Sequence, residues 1–230
     1  MENKIDVLDK GYVILQDYMG TDLSPANAAR VSYDKKKESM DKKDEGLIKF
    51  LARESHFSPF RHATLQFEVY APLMVARQWW KYVVGSSHQD NMVAWNESSR
   101  RYITEEPTFY VPEGHSWRSK PENSKQGSGE PIHFVDGMEL TDELLEYIER
   151  GEKLYQRAMD NNVAPEQARL FLPAYGMYVR WYWTASLQGV THFLNQRMKE
   201  DAQWEIQQYA NAVHKLAVEK FPISIEALKE

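Results

Sequence analysis

Residues 62–70 alternate, with Ala63, Leu65, Phe67 and Val69 on one side and Thr64, Gln66, Glu68 and Tyr70 on the other. A two-residue period sends successive side chains to opposite faces of an extended chain, so this stretch is predicted as a half-buried strand. Residues 12–17 form a second β-rich run. Ser24-Pro25 then predicts a helix start, serine as N-cap and proline at the first helical position, leading into residues 26–31. Leu47, Ile48 and Leu51 follow helical spacing after a charge-rich connector, residues 35–44, expected to be a solvated surface. Pro72 is predicted to open another helix, PLMVARQWWKYV. Beyond it, residues 85–91 read as a polar loop and residues 99–111 as β-like up to Pro112.

The second half changes period. Leu144, Leu145, Ile148, Leu154 and Met159 follow a helical repeat from Thr141 onward, and Asn161-Asn162 stops it. Pro165 opens a second helix, APEQARLFL. Residues 178–199 are apolar almost all round and are predicted as a buried third helix. A last helix, residues 204–221, repeats Tyr209, Val213 and Leu216 and ends before Pro222. Residues 121–129, PENSKQGSG, read as a mobile surface loop. With no internal repeat or linker, residues 1–230 are expected to form one domain of α+β class: a small mixed or antiparallel sheet packed against several helices.

Composition narrows the chemistry. Cysteine is absent, which removes disulfides, thiolate metal sites and cysteine nucleophiles. A formal charge of -6 argues against a general nucleic-acid binder, so an anionic ligand must meet a local basic cluster. MENKIDVLDK lacks an apolar leader core, and no run of about 18 apolar residues occurs, so neither secretion nor membrane spanning is supported and a cytoplasmic location is expected. Aromatic residues make up 13% of the chain and concentrate at residues 78–82 and 175–183. That concentration suits core packing, a slot for a flat ring, or a subunit interface.

Residues 95–102, WNESSRRY, place an acid, two hydroxyls and two guanidiniums together. If extended, Glu97, Ser99 and Arg101 share one face while Ser98 and Arg100 share the other. The first set suits a phosphate or a pyrimidine edge, because guanidinium matches oxyanions bidentately. A cross-strand charged pair on a solvated edge is the plainer alternative. Arg77, Arg169 and Arg197 lie in apolar surroundings, where a guanidinium needs a partner or a ligand. His56, His62, His88 and His192 form no HExxH-like spacing, so no metal site is expected. Neither a GxSxG elbow nor a GxGxxG or Walker loop occurs.

Five blocks in order carry a resemblance: AARVSY at 28–33, FSPFRH through VARQWW at 57–80, NESSRRY at 96–102, ARLFLP at 168–173, and FLNQR with AQWEIQQYA at 193–210. In these the chain resembles the flavin-dependent thymidylate synthases. The family's Asn-Glu-x-Ser-x-Arg-Tyr string is intact as Asn96, Glu97, Ser99, Arg101 and Tyr102. Its preceding Arg-His-Arg element is replaced by Lys81, Tyr82 and Val83, and fifteen residues, 84–98, precede the serine where the family has seven.

The resemblance implies reductive methylation of dUMP to dTMP, with 5,10-methylenetetrahydrofolate as carbon donor, NADPH as reductant and FAD as hydride carrier. It further implies a homotetramer. For dUMP it points to Gln78, Trp79, Lys81, Glu97, Ser98, Ser99, Arg100, Arg101, Arg169 and Arg197, with Arg197 as the catalytic group polarising the pyrimidine. For FAD it points to Ser58, Lys81, Tyr82, Val83, Glu97, Ser186, Gln188 and His192. Ser86, Ser87 and His88 of the longer loop are expected to take over flavin contacts. Ser186 and Gln188 stand where relatives often have Asn and Arg. The altered Arg-His-Arg element also leaves a second reading: a regulatory homologue that binds dUMP without flavin chemistry.

Overall fold

The computed structural model describes residues 3–85, 93–99, 106–122 and 126–229, without the side chain of Val84. Five antiparallel strands form one sheet in the order β1-β2-β3-β5-β4: β1 (Lys4–Val7), β2 (Gly11–Met19), β3 (Thr64–Pro72), β4 (Val93–Glu97) and β5 (Tyr178–Ser186). The alternation in β3 does what its period requires, burying Leu65, Phe67, Val69 and Ala71 completely. In β2 the register slips between Leu15 and Asp17. Gln16 there extends its amide to Glu68 Oε2 at 2.8 Å.

Helices cover one face of the sheet. α3 (Leu73–Gly85), α6 (Leu187–Arg197) and α7 (Trp204–Lys220) pack directly on it, with α1 (Leu23–Arg30), α2 (Lys42–Arg53) and α8 (Pro222–Leu228) outside them. Between sheet and helices lies the main core, whose largest fully buried side chains include Trp79, Trp181, Phe67 and Tyr209. A smaller cluster of Phe109, Ile148, Leu172 and Met177 sits under the long α4 (Phe134–Asp160), beside the single turn of α5 (Pro165–Ala168). The opposite sheet face is polar: Glu68 accepts from Tyr12 at 2.8 Å and lies 3.6 Å from the Arg180 guanidinium, beside a 42% exposed Tyr182. No helix among the described residues is long and apolar enough to cross a membrane.

Several expectations are corrected. Residues 178–186 are strand, not helix, and only the remainder of that stretch is helical. Val179, Trp181, Trp183 and Ala185 point into the core while Arg180, Tyr182 and Thr184 face away, and an outward tyrosine hides the two-residue period by counting as apolar. The edge strand is Val93–Glu97, ahead of the predicted 99–111, where Phe109 makes only an isolated bridge to Met177. Residues 100–105 lie outside the described ones. Pro72 closes β3 instead of opening α3, α4 begins at Phe134 instead of Thr141, and β1 and α8 were not foreseen.

Two polar predictions also change. Helix α1 starts before Ser24, whose Oγ instead accepts from the Thr21 backbone N–H at 3.0 Å. Asp22, at the cap position, turns its carboxylate to the first turn of α8, accepting from Ile223 N–H at 3.0 Å and Ser224 N–H at 2.8 Å. The connector is exposed over most of its length, but it ends in a capping box, Asp41 accepting from the Lys43 and Asp44 backbone while the fully buried Asp44 accepts from Asp41 N–H at 2.8 Å. Asp44 also pairs with Arg30 and, at 3.0 Å, with Lys37. The loop at 121–129 is pinned at its described end, where Trp204 N–H donates to Ser128 Oγ at 3.3 Å.

Candidate active site

Helix α3 is set in place where its first N–H groups, on Leu73 and Met74, donate to the carbonyls of Met177 and Tyr175 at 2.9 and 3.0 Å. Val75, Ala76 and Trp79 enter the core. Met74, Gln78, Lys81 and Tyr82, at helical spacing on another face, line a cavity of about 710 Å³. Its other walls come from the 109–118 segment, the 126–128 turn, α4, and the junction between α6 and α7. Gly127 belongs here by necessity: its φ is +85°, and a Cβ would come within 2.9 Å of the Asp201 carbonyl oxygen.

Arg197, the last residue of α6, reaches into this cavity. Its Nη2 donates to the Tyr82 hydroxyl at 2.5 Å, its Nη1 to Gln78 Oε1 at 3.3 Å, and its Cζ lies 4.3 Å from the centroid of the Tyr82 ring. Its Nε is buried with no hydrogen-bond acceptor among the described residues. A half-buried guanidinium whose buried Nε–H has no partner is arranged to meet an acceptor brought in from outside.

Behind Gln78 runs a chain of side chains that sequence reasoning missed. Gln78 Nε2 donates to Gln203 Oε1, and Gln203 Nε2 donates to Glu205 Oε2 at 2.7 Å. Arg118, also unforeseen, lines the same cavity with its guanidinium 5.0 Å from the Trp204 ring centroid. Tyr110 stays protonated, because burial, helped by the charges of Glu205 and Asp9, pushes its hydroxyl far above the usual tyrosine range. The only available signal for Gln203 and Glu205 was their place in the AQWEIQQYA block, six and eight positions after Arg197.

The expected site residues divide. Gln78, Lys81, Tyr82 and Arg197 come together at the cavity. Trp79 does not: it is fully buried and stacks on Phe193 at 4.2 Å between centroids. Val83 packs against the core. Arg77 and Arg169 are exposed, Arg77 because it projects from α3 away from its core face, Arg169 in a 3-10 turn where Nε donates to Glu166 O at 3.3 Å. Glu97 ends β4 exposed, and Ser98 is tied to β5, its N–H donating to Arg180 O at 2.8 Å while its Oγ accepts from Arg180 N–H at 3.2 Å. Neither these two nor the half-buried Ser99 lines the cavity. Arg100, Arg101, Ser86, Ser87 and His88 lie outside the described residues.

At the other end of α6, Ser186 is fully buried and caps the helix, accepting from Gly189 N–H at 3.1 Å. Gln188 is buried too and accepts from Arg61 Nε at 2.7 Å. Ser58 is exposed at the start of the adjoining 3-10 turn. His192, half-buried on α6, holds its ring 6.2 Å from that of Tyr82, linking the helix to the cavity.

Residues 14–223 match the family described as "Thymidylate synthase complementing protein". A "Flavin-dependent thymidylate synthase" of Thermosipho africanus is 38% identical over 99% of this chain and 93% of its own. One of Thermus thermophilus is 36% identical over 98% and 78%. Among solved structures, the UMP/dUMP methylase PolB of Streptomyces cacaoi superposes with a TM-score of 0.81 bound to 5-Br UMP and 0.82 bound to 5-Br dUMP. The two are 27% and 28% identical, each covering 97% of this chain and 95% and 96% of PolB.

Proposed function

The chain belongs to the flavin-dependent thymidylate synthases, and from that membership together with the cavity we propose that it methylates dUMP reductively to dTMP. Methylenetetrahydrofolate supplies the carbon and NADPH the reducing equivalents. The observation that carries the reading is Arg197: a guanidinium fastened on two sides, with a buried Nε–H lacking an acceptor, at the wall of a cavity that suits a nucleotide. Lys81 adds a cation for the phosphate, and Arg197 stabilises negative charge developing on the pyrimidine.

The residues present also fit FAD. Lys81 offers a cation for a pyrophosphate, Tyr82 and His192 offer ring surface with polar edges, and Ser58 offers an exposed hydroxyl. FAD, when bound, would supply the hydride-transfer chemistry that links NADPH to the methylation. The protein's share is to bind dUMP, orient its ring and keep a donor on the acceptor atoms. Tyr82, which replaces the histidine usual in relatives, holds Arg197 in place and thereby does work at the substrate as well as the flavin.

Part of the expected dUMP set, Glu97 to Ser99 and Arg169, does not line the cavity of its own chain. That division supports a homotetramer in which a neighbouring copy completes each site. A cytoplasmic location accords with this metabolic role. The test is dTMP formation from dUMP with FAD, NADPH and methylenetetrahydrofolate. Purified protein that is yellow and makes dTMP meets the expectation. Colourless protein that binds dUMP, takes up no FAD and makes no dTMP marks a nucleotide-binding regulator instead.

A further inference from the structure

We infer that Glu205 is a positioning residue of the nucleotide site, acting through Gln203 and Gln78 to hold the Arg197 guanidinium; the inference rests on the dUMP reading above. A carboxylate only accepts hydrogen bonds and a guanidinium only donates them, whereas an amide side chain does either, depending on which way it is turned. Two glutamines between two such ends have one orientation that satisfies every contact. Glu205 Oε2 draws the amide NH2 of Gln203 at 2.7 Å. The Gln203 carbonyl therefore faces Gln78 and accepts from its Nε2, and the Gln78 carbonyl is left facing Arg197, whose Nη1 donates to it at 3.3 Å.

The structure follows that orientation at all three contacts. With Nη2 on the Tyr82 hydroxyl at 2.5 Å, the guanidinium plane is fixed by two acceptors, and its buried Nε–H has no acceptor among the described residues. Removing the carboxylate frees the Gln203 amide to turn. Among the described residues Gln203 Nε2 then has only Met74 Sδ, at 3.5 Å, as a weak acceptor, and Gln78 loses its anchor.

Glu205 also sits in the first turn of α7, where any acid is favoured by the helix dipole, and its charge faces the cavity. The experiment separates these roles. Full-length wild type, Glu205→Leu, Glu205→Gln, Gln203→Leu and Gln203→Leu/Glu205→Leu are titrated with dUMP, and each is assayed for kcat and KM. Wild-type protein that does not bind dUMP overturns the functional reading, not the relay.

Where wild type binds, Glu205→Leu is expected to raise the dUMP Kd roughly five- to tenfold, the scale of one lost hydrogen bond. Glu205→Gln, which keeps an acceptor without the charge, recovers most of the affinity. In the Gln203→Leu background Glu205→Leu adds no further loss, because the path is already cut. Equal losses in the Leu and Gln variants at 205, or additive losses in the double variant, would falsify the relay and leave Glu205 as a charge or helix-end residue. Thermal melts show whether the variants fold.

Discussion

At the scale of single residues, two half-buried arginines find different partners for the same guanidinium. Arg30 is neutralised inside the protein by Asp44. Burial alone pushes the Asp44 carboxyl up, but the Asp41 N–H, the Lys37 ammonium and the Arg30 guanidinium outweigh it and hold the group at about 2, below its ordinary 3.8. A carboxyl lowered by folding stabilises the fold above its unfolded pKa, and that contribution is lost as pH falls from about 4 towards 2. Asp44→Asn is therefore expected to lower stability by about 3 kcal/mol near neutral pH, with the gap to wild type closing in melts taken below pH ~4. Arg197 instead donates to neutral acceptors, the Tyr82 hydroxyl and the Gln78 carbonyl, at the wall of the cavity. Tyr82→Phe, which removes only the oxygen accepting from Nη2, is expected to lower kcat/KM for dUMP about tenfold, on the scale of ~1.5 kcal/mol for a hydrogen bond to a charged group. Arg197 and Gln78 were legible in the sequence because they sit in quoted blocks. Asp44 was not, since a run of charges such as KKESMDKKDE does not say which carboxylate will turn inward.

Among elements, legibility followed how cleanly a period was written. β3 alternates without exception and was read correctly. β5 carries Tyr182 and Arg180 outward among tryptophans, a pattern that reads as helix, and its register is set by pairing with β3 along its whole length. The error hid the junction at Ser186, where strand becomes helix and the serine hydroxyl is used as a cap. Ser186→Ala is accordingly expected to cost about 1 kcal/mol in chemical denaturation while leaving FAD affinity unchanged, its hydroxyl being buried and engaged. Residues 121–129 read as a mobile loop because their composition is that of one, and residues 123–125 lie outside the described ones. Composition does not reveal that Gly127 abuts Asp201 with no room for a Cβ. Gly127→Ala is expected to shift this turn off the cavity wall and weaken dUMP binding, measured by titration.

On the scale of the whole molecule, the α+β plan followed from counting strands and helices, whereas the five strands did not, because β1 is too short to show a period and the outward tyrosine of β5 masks one. Leu170 is 82% exposed and Tyr175 68%, large apolar groups that an isolated protomer leaves in water. Leu170→Glu with Tyr175→Glu is expected to reduce the assembly size in sedimentation and, with it, dTMP turnover. The aromatic seam has a consequence of another kind. Trp80 contacts Trp95 at 5.3 Å between centroids, Trp95 stacks on Trp181 at 4.8 Å, and Trp79 meets Trp181 and Trp183 at 5.4 and 5.2 Å. Five indoles thus form a continuous, fixed and chiral chromophore from the edge strand to the core. Coupled rings of this kind give a near-ultraviolet circular dichroism band that vanishes when their packing loosens. The protein carries its own optical gauge of whether β4, the strand that ends at Glu97, is docked.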